Sequence, residues 1–120
     1  LICQKIYHLL RKGGHFVFSM EHPIFTAKGE QNWVLDEAGN RLHWPVDHYQ
    51  QEGIRHTNFL GHEVIKYHRT LETVFNSVLK AGFQIAQVAE PKPAMRALEE
   101  SADMKDELRR PMFLILSALK

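Results

Sequence analysis

Three short segments carry residues that could do chemistry. "SMEHP" (Ser19–Pro23) delivers a carboxylate, an imidazole and a proline to the end of the apolar run His15–Met20. "AEPKP" (Ala89–Pro93) sets Glu90 at the end of a second such run, and "YHRT" (Tyr67–Thr70) puts His68 and Arg69 just ahead of an amphipathic stretch. An imidazole titrates near neutrality, at a pKa of about 6.5, so a histidine beside a carboxylate can take up and pass on a proton. Glu21 and His22 are therefore the candidate catalytic groups. The alternative is that both hydrogen-bond backbone and fix the direction in which the next segment leaves the strand.

His68 and Arg69 suggest a different role. They precede a helix start, where free N–H groups and the helix dipole favour an anion. The pair could orient a substrate carboxylate or bind Glu21 or Glu90; a structural salt-bridge network is the alternative. Trp33, Trp44, Tyr49 and Phe59 are scattered among polar residues and could form an aromatic cage for a flat or cationic substrate. Packing their own segment down is the other use for them. Eight histidines raise the question of metal. His62-Glu63-Val64-Ile65-Lys66 ends in lysine where a metalloprotease motif needs histidine, and neither His43 with His48 nor His62 with His68 has ligand spacing, so no metal site is expected.

The elements that must position these groups read as follows. Ile2, Ile6, Leu9 and Leu10 recur at helical spacing, which predicts a helix near 1–11, stopped by Gly13-Gly14. "HFVFSM" is continuously apolar, the pattern of a strand covered on both faces, and Pro23 ends it. Between Ile24 and about Lys66 the character changes to short strands and loops. "WVLDEAGNRLHW" reads as a hairpin with Gly39-Asn40 able to take positive φ, and "IRHTNFLGHEVIKY" as a second one turning near Gly61. A connection of this length is expected to be a lid over a site, and a mobile one, because its aromatics look isolated. Leu71, Val74, Phe75, Val78 and Leu79 form the stripe of a helix over 70–81, with Thr70 as N-cap and Gly82 at its end. Strands follow at 83–89 and 112–119, with residues 94–108 helical in part. The expected division is 1–23, helix and strand; 24–67, insertion; 68–120, helix and two strands.

The chain has 120 residues, 44% hydrophobic and 24% charged, an ordinary globular balance with room for one modest core. A net charge of +1 gives no reason to expect nucleic acid or a membrane as partner. The single cysteine, Cys3, excludes an intrachain disulfide and suits a reducing, cytoplasmic setting. Leu1 opens the chain inside a helical pattern without a cap, so the chain is expected to be a piece of something longer.

"LLRKGGHFVFSMEHPI", "YHRTLETVFNSVLKAGF", "AEPKP" and "RRPMFLILSALK", taken in order, resemble the C-terminal half of class I S-adenosylmethionine-dependent methyltransferases. "GGHFVFS" is similar to the junction into that family's fifth strand, with Arg11-Lys12 in place of the usual Lys-Pro. "LKAGF" is similar to the junction into the sixth strand, and "RPMFLILSALK" to the seventh. The resemblance implies an α/β, Rossmann-like sheet in which 112–119 lies between 15–20 and 83–89, antiparallel to both. It also implies a lid between the fifth strand and the following helix, as in small-molecule methyltransferases.

On that basis Glu21 and His22 would be catalytic, and His68, Arg69, Glu90, Trp44 and Tyr49 would meet a small-molecule substrate. The family's glycine-rich cofactor loop and its ribose-binding carboxylate have no counterpart here, since none of the seven glycines makes G-x-G. The resemblance implies that S-adenosylmethionine is held upstream of Leu1, with none bound to the 120 residues themselves. It further implies that strand 15–20 has an unpaired outer edge beside exposed Phe16, Val17 and Phe18, through which the chain would self-associate. A non-catalytic α/β binding or scaffold domain is the competing function. A dinucleotide oxidoreductase is not supported, for want of a glycine fingerprint.

Overall fold

The computed structural model describes residues 2–120; Leu1, where the expected first helix begins, lies outside them. Helix α1 (Ile2–Leu9) leads through Gly13, at φ +81°, into strand β1 (His15–Glu21). The inward face of α1 is Cys3, Ile6, Tyr7 and Leu10; Ile2 and Leu9 point to solvent. The expected stripe is therefore rotated, because 3, 6, 7, 10 is as good a helical spacing as 2, 6, 9, 10 and it brings the Tyr7 ring onto Phe83 at 5.0 Å. At the end of α1, the Lys120 ammonium donates to the carbonyls of Tyr7 and Leu10, a cation on the negative helix end.

Helix α3 (Leu71–Lys80) begins where Thr70 Oγ1 accepts from the Thr73 N–H at 3.2 Å and ends at Gly82, at φ +109°. Val74 and Val78 are its buried residues; Leu79, expected on the same stripe, is turned outward. Strand β6 (Gln84–Ala89) follows. After Pro93 the chain makes a short helix, α4 (Met95–Glu100), and a 3-10 turn (Ala102–Leu108) before β7 (Phe113–Leu119).

The three long strands form one sheet in the order β1-β7-β6, with β7 antiparallel to both neighbours. His15 pairs with Leu119 and Glu21 with Phe113, while Ile85 pairs with Ala118 and Val88 with Leu116. Leu114, Leu116 and Ala118 are buried, and Val78 and Phe83 pack on the latter two. Phe16 and Phe18 join this core from β1 and are only partly exposed. Val17, on the opposite face of β1, is 61% exposed. The expectation of a strand covered on both faces is thus corrected: helices α1 and α3 cover one face and leave the other open.

Residues 23–68 hold five further elements: a single helical turn α2 (Pro23–Thr26), a small hairpin of β2 (Val34–Leu35) with β3 (Arg41–His43), and a longer hairpin of β4 (Gly53–Phe59) with β5 (His62–His68). Asp36 organises the first turn, accepting from the N–H groups of Ala38 and Asn40. Gly39 takes φ +85°, but Asn40 is held by Asp36 and does not share a positive φ. The second turn has Leu60 and Gly61 both at positive φ, the conformation that matches the twist of a two-residue hairpin. Arg55 ties this region together, donating to the carbonyls of Ala27, His48 and Gln51.

Candidate functional site

The carboxyl ends of β1 and β6 lie on either side of the start of β7. Pro23 forces His22 into an extended conformation (φ −62°, ψ 141°), which makes His22 the N-cap of α2. Its Nδ1 accepts from the N–H of Ile24 at 3.1 Å, and its Nε2 lies 2.6 Å from Glu90 Oε2. A backbone N–H can only donate, so Nδ1 carries a lone pair and Nε2 holds the proton that goes to Glu90. The ring is 1% exposed, whereas the Glu90 side chain is 55% exposed. Of the two, Glu90 is the group a solute can reach. The structural reading of His22 from the sequence is met here: it caps the turn that leaves the strand, and its other nitrogen holds a carboxylate.

Glu21 faces away from this pair. Its carboxylate accepts from Lys66 Nζ at 2.6 Å, and Gln31 Oε1 accepts from the same ammonium at 3.0 Å. The expected pairing of His68 or Arg69 with Glu21 or Glu90 does not occur, since both carboxylates have other partners. His68 is fully buried, with Nδ1 on Thr26 Oγ1 and Nε2 donating to the carbonyl of Tyr49, each at 2.8 Å. It clasps α2 to the segment before β4.

The anion expected at the start of α3 is supplied from within. Glu52 Oε2 accepts from the N–H of Thr70 at 3.0 Å, and the Tyr49 hydroxyl accepts from the N–H of Leu71 at 3.0 Å. That hydrogen bond from Thr70, with a further one from Thr73 and the charge of Arg69, holds the Glu52 carboxyl below its ordinary range. Tyr49 sits edge-on to His68 at 5.5 Å and away from the tryptophans. Arg69 is exposed and reaches only the carbonyl of His68.

The aromatics are not isolated. Trp44 stacks on Phe25 at 5.0 Å and Trp33 meets Trp44 edge-on at 5.4 Å; Phe59 stands apart at the tip of the β4–β5 hairpin, 57% exposed. The expected cage of Trp33, Trp44, Tyr49 and Phe59 is therefore replaced by Phe25, Trp33 and Trp44. Its cation belongs to the chain itself: the guanidinium of Arg110 lies 4.4 Å from the Trp44 centroid, 5.0 Å from Trp33 and 5.2 Å from Phe25. Arg110 is 8% exposed and forks onto Glu107 at 2.7 and 3.3 Å, but its Nε is buried without a partner. Arg109 lies 4.7 Å from the Trp33 centroid, shares Asp106 with Arg41, and donates to the carbonyl of Leu42, which holds β3 against the approach to β7.

Phe25, Arg110, Glu107 and Glu52 are absent from the sequence-based candidates; the spacing of Glu107 and Arg110, three apart, is the one local signal. Two pockets flank Arg109–Pro111. One, of about 270 Å³, is lined by Ile24, Trp33, His43, Trp44 and Val46; the other, of about 210 Å³, by Glu90, Lys92 and Glu107. Among the described residues no three His, Cys, Asp or Glu side chains converge as a metal site would need, and no helix is long and apolar enough to cross a membrane.

No family model matches the chain. The crystal structure of a Listeria monocytogenes protein, assigned provisionally as an S-adenosylmethionine dependent methyltransferase, superposes with a TM-score of 0.92 at 54% identity, over 99% of this chain and 53% of that one. An S-adenosylmethionine dependent methyltransferase from Mesorhizobium loti superposes with a TM-score of 0.87 at 40% identity, over 99% of this chain and 54% of that one. The chain has the fold of the C-terminal half of an S-adenosylmethionine-dependent methyltransferase. In this methyltransferase half-fold, β1, β6 and β7 take the places that the resemblance gave to the fifth, sixth and seventh strands. An uncharacterized protein of Haemophilus influenzae is 34% identical over 116 residues, which is 96% of this chain and 45% of the relative. The chain thus spans about half the length of the proteins it matches.

Proposed function

We propose that the chain is the substrate side of an S-adenosylmethionine-dependent methyltransferase acting on a small molecule. Its Glu90 carboxylate takes the proton from the acceptor atom. Its His22 is a positioning residue that donates from Nε2 and holds Glu90 in place. The observation that carries this reading is the 2.6 Å contact between His22 and Glu90 across the carboxyl edge of the sheet, where open α/β folds bind ligands. With one Glu90 oxygen engaged by the buried imidazole, the exposed oxygen keeps its lone pairs for a hydroxyl or amine proton.

S-adenosylmethionine would supply the methyl group as a sulfonium. The residues described here do not fit that cofactor. The glycines at positive φ, Gly13, Gly39, Gly53, Gly61 and Gly82, lie at hairpin turns, a strand start and helix ends. None forms a phosphate-loop-like turn from strand into helix. What this chain contributes is the acceptor's pocket, its orientation and its proton. The lone thiol of Cys3 suits a cytoplasmic setting, and the segment 24–67 acts as the lid over the acceptor.

The test is Glu90→Gln in a protein carrying this chain together with a cofactor-binding half. Turnover should fall by about a hundredfold or more while cofactor affinity stays within twofold. His22→Ala should lower turnover less, and shift its pH profile with it. Unchanged turnover in Glu90→Gln, or an equal loss of cofactor affinity, would remove Glu90 as the base. No transfer to any acceptor would leave the scaffold function instead.

A further inference from the structure

We propose that the pocket beside Arg110 binds the carboxylate of a planar aromatic substrate, not a cation. The word substrate rests on the methyltransferase reading; the binding site does not.

The walls fix the shape. Trp33 and Trp44 meet edge-on with Phe25 stacked on Trp44, and the pocket beside this closed aromatic corner, walled also by Ile24, Val46 and Pro111, favours a flat apolar body. The charge fixes the sign. An aromatic box of this kind commonly takes a cation, but here the guanidinium of Arg110 already occupies the ring faces. A cationic ligand would meet a buried like charge.

The charged lining residues of this pocket are Arg109 and Arg110, with no carboxylate among them. Around Trp33 stand three guanidiniums, Arg41, Arg109 and Arg110, and the carboxylates that answer them are two, Asp106 and Glu107. One positive charge is left over. Asp106 is kept ionised by Arg109 and Arg41 and so is already committed.

Arg110 adds the decisive feature. It is 92% buried, its two terminal nitrogens are taken by Glu107, and its Nε–H has no acceptor. A buried donor without an acceptor is unfavourable, and a ligand oxygen that reaches it relieves that cost. A carboxylate does so with a charge-assisted bond. Arg109–Pro111 also wall the pocket that holds Glu90, so the two pockets share one segment of the chain.

Trp33 and Trp44 are the two tryptophans of the chain, so the pocket reports on itself. Tryptophan fluorescence of the purified chain is titrated with benzoate, benzamide and benzyltrimethylammonium at low salt. Benzoate should give a saturable change at a concentration at least tenfold below that of benzamide, and the quaternary ammonium should give none. Arg110→Gln should weaken benzoate tenfold or more with far-UV dichroism unchanged. Should that variant unfold, Arg109→Gln, altered at an exposed position, should still weaken benzoate severalfold.

Equal response to benzoate and benzamide, a response to the quaternary ammonium as strong as to benzoate, no saturable response, or benzoate binding unmoved in the folded arginine variants would each overturn the assignment. Benzoate selectivity without any methyl transfer, in a protein with its cofactor half, would keep this site and remove the enzyme reading. Methyl transfer without benzoate selectivity would do the reverse.

Discussion

The carboxylate of Glu52 accepts the backbone N–H of Thr70 at 3.0 Å, so α3 starts on an anion from its own chain. The Thr70 bond is the largest of the effects that hold the Glu52 carboxyl below its ordinary 4.5. The native state therefore binds that proton less readily than the unfolded chain does. The stability from this contact is complete above about pH 4.5 and is lost as pH falls through the lower native value. Urea midpoints measured from pH 6 to pH 3 should fall, and Glu52→Gln should lower the midpoint at pH 6 and shrink the acid-dependent drop. Some drop should persist, because Asp36 and Asp106 are also held below 3.8 by their hydrogen bonds. An unchanged drop in Glu52→Gln would mean the contact is not made in solution.

Thr70 is the side-chain cap of the same helix. Thr70→Ala should cost about 1 kcal/mol of unfolding free energy, and Thr70→Ser should restore most of it, since serine caps as well as threonine. Denaturant melts of the two variants check this. Equal losses would assign the effect to packing of the methyl group.

Gly29 lies against β4 so closely that a Cβ would stand 2.5 Å from the carbonyl oxygen of His56. Backbone cannot swing aside as a side chain can. Gly29→Ala should destabilise by about 1–3 kcal/mol, the range for forced overpacking, and should raise amide exchange in β4 more than in β1. A neutral substitution would show that the segment after α2 does not press on β4 at Gly29.

Among the described residues no strand lies beside the outer edge of β1, and Val17 stands 61% exposed next to it. Phe16 and Phe18 are turned into the core, so the exposed apolar side of this edge is narrower than the sequence suggested. Light scattering on the chain should still show mass rising with concentration over roughly the micromolar to millimolar range. Val17→Lys, a charge placed on the edge, should suppress it. Self-association unaffected by Val17→Lys would point to a different surface.

The long strands were legible because a continuous apolar run has few uses other than burial, as Met112–Leu116 illustrates. The direction of β7 was not: the same run pairs equally well in either sense, and the resemblance alone supplied the order β1-β7-β6. Pro23 and Pro91 marked the strand ends that carry His22 and Glu90. Which of the two faces solvent depends on the capping bond from Ile24, and no spacing rule expresses that. The Arg110 cluster draws on residues 25, 33, 44 and 110, which only the folded chain brings together. Glu52 likewise reaches Thr70 across a whole hairpin.

The position of β7 bears on how the protein is made. It is the middle strand of the sheet and the last of the three in chain order, and His15 waits for Leu119 as its partner. While a ribosome is still adding the residues before Phe113, β1 and β6 lack the strand that joins them, and α1 and α3 have no Leu116 or Ala118 to pack on. Assembly of the sheet is then a late event governed by long-range closure, and slow for that reason. Chains stalled or clipped ahead of β7 would expose Phe16, Phe18 and Phe83 together and be ready targets for chaperones and proteases.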